Sequence, residues 1–222
     1  MIISHKYKFI FFAVPKTATH AIRFALRPHL GQDDEEHVFS FKPSKLNIDA
    51  FQDRKNGHFT VDEIKPYLSE EIWNTYYKFS FVRNPFDRFI SLCFFHFKAL
   101  KHTSEHVDQL VLKFASSSSE SKPELFKPQT RFLYDGGRQT PLDYIGRFEN
   151  IQNDFNKVCH TLNIPSTKLE MINSSIHEPY LTYYKNEDLL DLVEEMYKED
   201  ILHFGYSLDS YTGALPIQNH SA

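Results

Sequence analysis

The sequence predicts a single α/β domain with a mostly parallel central sheet flanked by helices. Three observations carry that expectation. The runs Lys8 to Val14 (Lys-Phe-Ile-Phe-Phe-Ala-Val) and Lys78 to Val82 (Lys-Phe-Ser-Phe-Val) are nearly all apolar, as strands buried on both faces are. Each is followed within a few residues by a segment whose apolar side chains recur at helical spacing. The chain has 222 residues, of which 41% are hydrophobic and 24% charged, a globular balance that argues against disorder. A chain of this size hides about 70% of its unfolded surface on folding.

The elements follow in order. Pro15 stops the first strand, and Ala21, Ile22, Ala25 and Leu26 form the apolar face of a helix from Thr19 to near Pro28. Asp33 to Glu36 reads as a solvated acidic stretch, and Asn56-Gly57 as a turn. Thr60-Val61-Asp62-Glu63 fits a capping box, in which the Thr hydroxyl and the Glu carboxylate satisfy orphan amides at a helix start. Ser69 caps a second short helix through Trp73. After the strand Lys78 to Val82, Pro85 suits the first turn of a helix whose core face is Phe86, Phe89, Ile90, Cys93 and Phe97. Residues 101–140 change character. The four serines from Ser116 to Ser119 and the breakers Pro123, Pro128 and Gly136-Gly137 read as a polar, partly mobile insertion of lid type. Leu142 to Phe148 is a third strand. Ile151, Phe155, Val158, Cys159 and Leu162 face one helix. Leu189, Leu190, Val193, Met196 and Tyr197 face another, with Asn186 as its cap and Gly205 beyond its end. The domain therefore spans residues 1–211, and 212–222 form a flexible polar tail.

Composition narrows the function. A net charge of −4 argues against general affinity for nucleic acid or an anionic membrane, but not against a local basic site for a small anion. Two cysteines, Cys93 and Cys159, make no disulfide framework. No apolar run reaches the length of a membrane span. Phe9 to Val14 is too short for a signal-peptide core and Lys16 follows at once, so the chain is expected in the cytoplasm. His102 and His106 have i,i+4 spacing but no adjoining ligands, which favours a surface helix over zinc, and no metal is expected.

Two strand ends carry residues suited to anions. Pro15-Lys16-Thr17-Ala18-Thr19-His20 joins a strand to a helix, where backbone amides attract anions and a lysine and hydroxyls complete a phosphate site. An ordinary turn with a solvent-facing lysine is the other reading of the hexapeptide by itself. The glycines of the G-x-x-x-x-G-K-[ST] loop are absent, and the whole chain holds only 7 glycines. At the second strand end, Arg83 and Ser91 bracket two helical turns, and a guanidinium with a hydroxyl suits one phosphate. Asp87 and Arg88 between them read as a local ion pair at the helix start.

Together these motifs resemble the two nucleotide-binding motifs of sulfotransferases that use 3′-phosphoadenosine 5′-phosphosulfate (PAPS), in the family-2 branch related to carbohydrate sulfotransferases. Pro15 to Thr19 resembles the 5′-phosphosulfate loop. Phe81 to Ser91 resembles the 3′-phosphate motif, including its step from Arg83 to Ser91. The likeness continues through His58 to Ile64, Tyr144 to Asn150, Asn173-Ser174-Ser175, Tyr180 to Tyr184 and Asp200 to Tyr206. It covers the chain in order from Lys8 to Leu208.

The resemblance implies a fold like that of P-loop kinases. It also implies in-line transfer of a sulfuryl group from PAPS to a hydroxyl or amine of a small-molecule or carbohydrate acceptor, leaving adenosine 3′,5′-bisphosphate. Lys16 would neutralise charge on the leaving phosphate, and Thr17, Ala18 and Thr19 would offer amides, the threonines hydroxyls as well. Arg83 and Ser91 would clamp the 3′-phosphate. His20 stands where the family often has Ser or Thr, and three roles are open to it: donating to a phosphate, reaching the acceptor or capping the helix. His58 is the candidate base, since a histidine titrates near neutrality. A small-molecule kinase on a similar core and a nucleotide-binding module without catalysis are the alternatives.

Overall fold

The structure is a computed structural model that describes residues 1–37, 48–51, 54, 56–97, 107–136, 140–170 and 178–210. His102, His106, Gly137, Asn173-Ser174-Ser175 and the tail 212–222 lie outside the described residues, as does part of the 101–140 insertion. The strands are β1 (Ile2–Ser4), β2 (Phe9–Phe12), β3 (Glu35–Glu36), β4 (Tyr77–Val82) and β5 (Tyr144–Arg147). The helices begin with α1 (Thr19–Leu26), α2 (Val61–Ile64), α3 (Glu70–Thr75) and α4 (Pro85–His96). They continue with α5 (Val107–Ala115), α6 (Thr130–Leu133), α7 (Ile151–Thr161), α8 (Glu187–Met196) and α9 (Lys198–Phe204). Two compact units form, one from Met1–Val82 with Arg131–Ile172, the other from Arg83–Thr130 with Asn173–Ala222.

The first unit holds a five-stranded sheet in the order β3-β1-β2-β4-β5. The expected α/β class forms, with parallel strands at its heart: β2 pairs with β4, and β4 with β5, in parallel. The edge formed by β1 and β3 is antiparallel, which makes the sheet mixed. All four residues of β2 are buried, so both of its faces are covered, as the continuous apolar run requires. Phe11 lies opposite Phe79 in the parallel register, and the two rings stack at 5.2 Å. One face of the sheet buries Phe9, Phe11, Phe79 and Phe81 against Ile22 and Leu26 of α1 and Phe155 and Val158 of α7. Gly146 is fixed by the same packing, because a Cβ there would stand 2.5 Å from the Phe81 ring across the β4–β5 register.

The stretch Asp33 to Glu36 corrects the sequence reading. It is not a solvated acidic run: Asp34 and Glu35 are buried, and Glu35–Glu36 is the edge strand β3. Asp34 accepts hydrogen bonds from Ser4 Oγ (2.6 Å) and from the amides of His5 (2.7 Å), Lys6 (3.1 Å) and Gly31 (2.9 Å). Burial alone would raise its pKa, but these donors outweigh it and hold the carboxyl below its usual range. Glu36 pairs with Arg27 at 2.8 Å. Asp33 is exposed, whereas Asp34 is buried with Ser4, His5 and Lys6 as partners from a segment distant in sequence.

The second unit packs helices. Phe86, Phe89, Ile90 and Cys93 of α4 meet Val111 and Ala115 of α5 and Leu189 and Val193 of α8. Phe89 lies at 6.1 Å from the Phe126 ring and 6.2 Å from the Tyr197 ring. The described part of the 101–140 segment thus contributes α5 and the buried Phe126 to a core. The last helix of the sequence reading is two helices, because the backbone leaves helical geometry at Tyr197. Asn186 caps the first, accepting from the Leu189 amide at 3.2 Å, and Gly205, at φ +62°, ends the second.

Candidate active site

In the first unit, β2 delivers the chain into the loop Pro15 to His20. Lys16 (φ +66°) and Ala18 (φ +58°) both take the left-handed conformation, which costs a residue with a Cβ about 1–2 kcal/mol. Two such residues in three turn the chain sharply into α1. The helix starts with Ala18 as its cap residue and no acidic side chain in its first turn, so its amide end carries an uncompensated partial positive charge. Lys16, Ala18 and His20 are partly exposed, while Thr17 and Thr19 are buried. The Thr17 hydroxyl donates to the Val14 carbonyl at 3.0 Å, so its proton closes the loop. Burial, then the charges of Arg23 and Lys16, lower the His20 pKa and keep the ring neutral near pH 7.

His58 belongs to the same unit and reaches this loop. Its Nδ1 lies 2.7 Å from the carbonyl oxygen of Ala13, the residue two before Pro15. A carbonyl only accepts, so Nδ1 carries the proton and Nε2 the lone pair. Burial pushes the His58 pKa down to about 3, against the opposing Ala13 hydrogen bond and with help from the charge of Arg23. The ring is therefore neutral at any pH near 7.

The backbone around His58 is held from several sides. Arg23 of α1 is buried, and its Nη2 donates to the carbonyls of His37 (3.0 Å) and Gly57 (3.3 Å). Burial lowers the Arg23 pKa to about 10, which leaves it charged. Arg54 Nη2 donates to the His58 carbonyl at 2.8 Å, and its Nη1 pairs with Glu63 at 2.6 Å. Glu63 completes the expected capping box with Thr60 at the start of α2. Asn56 Oδ1 accepts from the His58 amide at 3.2 Å, in the turn read at Asn56-Gly57. Gly57 admits no side chain: a Cβ would stand 2.2 Å from the His37 oxygen and 2.6 Å from Arg23 Nη2.

In the second unit, Arg83 directly precedes α4, whose cap is Asn84 and whose first residue is Pro85. Asn84 Oδ1 accepts from the Phe86 amide at 3.0 Å. Asp87 does not pair with Arg88, which corrects the local ion pair read from the sequence. It pairs with Arg83, whose Nε and Nη2 each lie 2.8 Å from Asp87 Oδ2. The i,i+4 spacing puts Asp87 one turn above Arg83, whereas Arg88 points into the core. Arg88 is fully buried, donates from Nη2 to the carbonyls of Leu125 (2.8 Å) and Lys127 (3.0 Å), and lies over the Tyr197 ring. Ser91 is buried on α4, two turns beyond Arg83.

Gln129, absent from the sequence reading, secures Arg83, and Asp200, read there only as the start of the stretch Asp200 to Tyr206, secures Gln129. The Gln129 side chain pairs with the Arg83 backbone twice, accepting from its amide at 2.9 Å and donating to its carbonyl at 2.8 Å. Asp200 accepts from the Gln129 and Thr130 amides at 2.8 and 2.9 Å. A single glutamine in a serine- and proline-rich stretch gives no periodic or motif signal by which to find it.

No cluster of His, Cys, Asp and Glu among the described residues has the makings of a metal site. No helix among them is long and apolar enough to cross a membrane. Compared with known proteins, residues 1–207 match the model of the Sulfotransferase family, in its second branch. No curated protein and no solved structure matches the chain.

Proposed function

Because the chain belongs to the sulfotransferase family, we propose that it moves a sulfuryl group from PAPS to a hydroxyl or amine of a small-molecule or carbohydrate acceptor, with His58 as the base. Membership of that enzyme family favours this reading over a kinase or a binding module without turnover. The observation that carries the assignment of the base is the 2.7 Å contact between His58 Nδ1 and Ala13 O. It ties a histidine whose Nε2 carries the lone pair to the segment that leads from β2 into the Lys16 loop.

The residues suit a donor of this kind. Left-handed backbone at Lys16 and Ala18, followed at once by a helix start, presents amides to an anion. Arg83 is held through its backbone by Gln129 and at its guanidinium by Asp87, a fixed orientation that favours recognition of a phosphate. PAPS, when bound, supplies the sulfuryl group and a phosphate leaving group. Lys16 then holds positive charge where negative charge builds on leaving, and the amides of Thr17, Ala18 and Thr19 donate beside it. His58 takes the acceptor proton at Nε2 while Nδ1 stays on Ala13, so the imidazolium that forms is already hydrogen-bonded. Negative charge brought in by the donor raises the basicity of His58 above its value in the free protein. Arg83 and Ser91 grip the 3′-phosphate. His20, neutral and partly exposed at the start of α1, donates to the 5′-phosphosulfate beside Lys16. The two buried thiols, Cys93 and Cys159, suit the reducing cytoplasm.

The test is turnover of PAPS labelled in its sulfuryl group, with a panel of hydroxyl and amine acceptors. Label should move to at least one acceptor class with release of adenosine 3′,5′-bisphosphate. If no acceptor takes up label and that bisphosphate binds no better than AMP, the donor assignment fails.

A further inference from the structure

A ligand contact is only as selective as the backbone that aims it. Arg83 sits at the junction between β4 and α4, outside both. The side chain of Gln129 holds its peptide groups. Its primary amide pairs with the Arg83 amide and carbonyl much as a neighbouring strand would, at 2.9 and 2.8 Å. Gln129 is itself fully buried, and Asp200 holds it. Asp200 Oδ2 accepts from the Gln129 amide at 2.8 Å and from its Nε2 at 3.2 Å, while Oδ1 accepts from the Thr130 amide at 2.9 Å. Asp200 is also fully buried, so neither link is loosened by water.

Four polar groups of Arg83 are thereby committed within the protein: the amide and carbonyl to Gln129, and Nε and Nη2 to Asp87. Asp87 fixes the guanidinium, and Gln129 fixes the chain from which the guanidinium extends. From this geometry we propose that Gln129, held by Asp200, is a positioning residue that sets selectivity for a phosphate on the nucleotide 3′-oxygen. The proposal rests on the reading of Arg83 as the 3′-phosphate ligand. Gln129 touches no ligand; it acts through Arg83. Residues around it in sequence were read as a mobile lid, but this one serves as a buried strut.

The experiment compares calorimetric affinities for adenosine 3′,5′-bisphosphate and AMP in the wild type, Gln129→Glu and Gln129→Met. Gln129→Glu keeps the shape and the acceptor but cannot donate to the Arg83 carbonyl, and it sets a carboxylate against Asp200. Gln129→Met removes both bonds. The wild type should prefer the bisphosphate by about tenfold or more, the margin of one charge-assisted contact. Both variants should lose most of that preference through weaker bisphosphate binding, with AMP affinity kept within about twofold. A merely structural role predicts lower melting temperatures with the ratio unchanged, and that result overturns the proposal. If the wild type shows no preference, the donor reading itself fails, which is a different outcome and takes the proposal with it. Hydrogen exchange at the Arg83 amide of the wild type gives a test that needs no variant to fold. The amide should be protected like the β4 amides, and fast exchange there overturns the strut.

Discussion

The pH dependence of stability gives the sharpest test of how His58 is held. Its pKa is pushed from an ordinary 6.5 down to about 3 by burial, with Arg23 adding to the effect. The unfolded chain binds a proton at this ring below pH 6.5, and the folded chain does not until about pH 3. Stability therefore falls as pH drops through that window, and above 6.5 the ring is neutral in both states and contributes nothing to the slope. The full slope is about 1.4 kcal/mol per pH unit. His58→Asn keeps an amide donor for the Ala13 carbonyl and removes the titration. His20 and His37 also have lowered pKa values, but they remain in both proteins and cancel in the comparison. Urea unfolding at pH 7.5 and 5.5 should show the wild type losing about 1.4 kcal/mol more than His58→Asn. Equal losses, or an NMR titration of His58 at 6.5 or above, would refute the half-buried, hydrogen-bonded ring.

Two further substitutions probe the loop and its support. Gly57→Ala forces a Cβ against a backbone oxygen at 2.2 Å, so thermal unfolding should register a loss of about 1–3 kcal/mol and turnover should drop with it as His58 is displaced; an active, undiminished variant contradicts the packing. Lys16→Ala should lower turnover by about 10²–10³ with every acceptor, since the same phosphate leaves each time, while the melting temperature stays near that of the wild type; a loss confined to one acceptor class would move Lys16 to the acceptor side.

Much of the fold was legible because its signals are local. The run Phe9 to Phe12 is apolar on both faces and formed a central strand, and Thr60 with Glu63 formed the capping box their spacing required. Strands β1 and β3 were not legible: three and two residues long, they are set by pairing with β2 and with each other. The burial of Asp34 depends on donors near residue 5 and so left no mark in its own neighbourhood. The candidate site divides in the same way. The loop Pro15 to His20 and the step from Arg83 to Ser91 are contiguous motifs. The anchoring of His58 on Ala13, across 45 positions, and of Arg83 on Gln129, across 46, exists only once the chain has folded. Asp87 misled for a related reason: beside Arg88 in sequence, it is one helical turn from Arg83 in space.

The central claim is that the histidine hung on Ala13 takes the acceptor proton. It is tested most directly by the turnover of His58→Ala against wild type over acceptors of graded pKa, with donor affinity measured separately. An aliphatic alcohol needs its proton removed in the transition state and should lose about 10²–10⁴ in rate. An acidic phenol, already close to ionised, should lose far less, so the deficit should shrink steadily along the series. A deficit of the same size for every acceptor, or none at all, would contradict the assignment of His58 as the base.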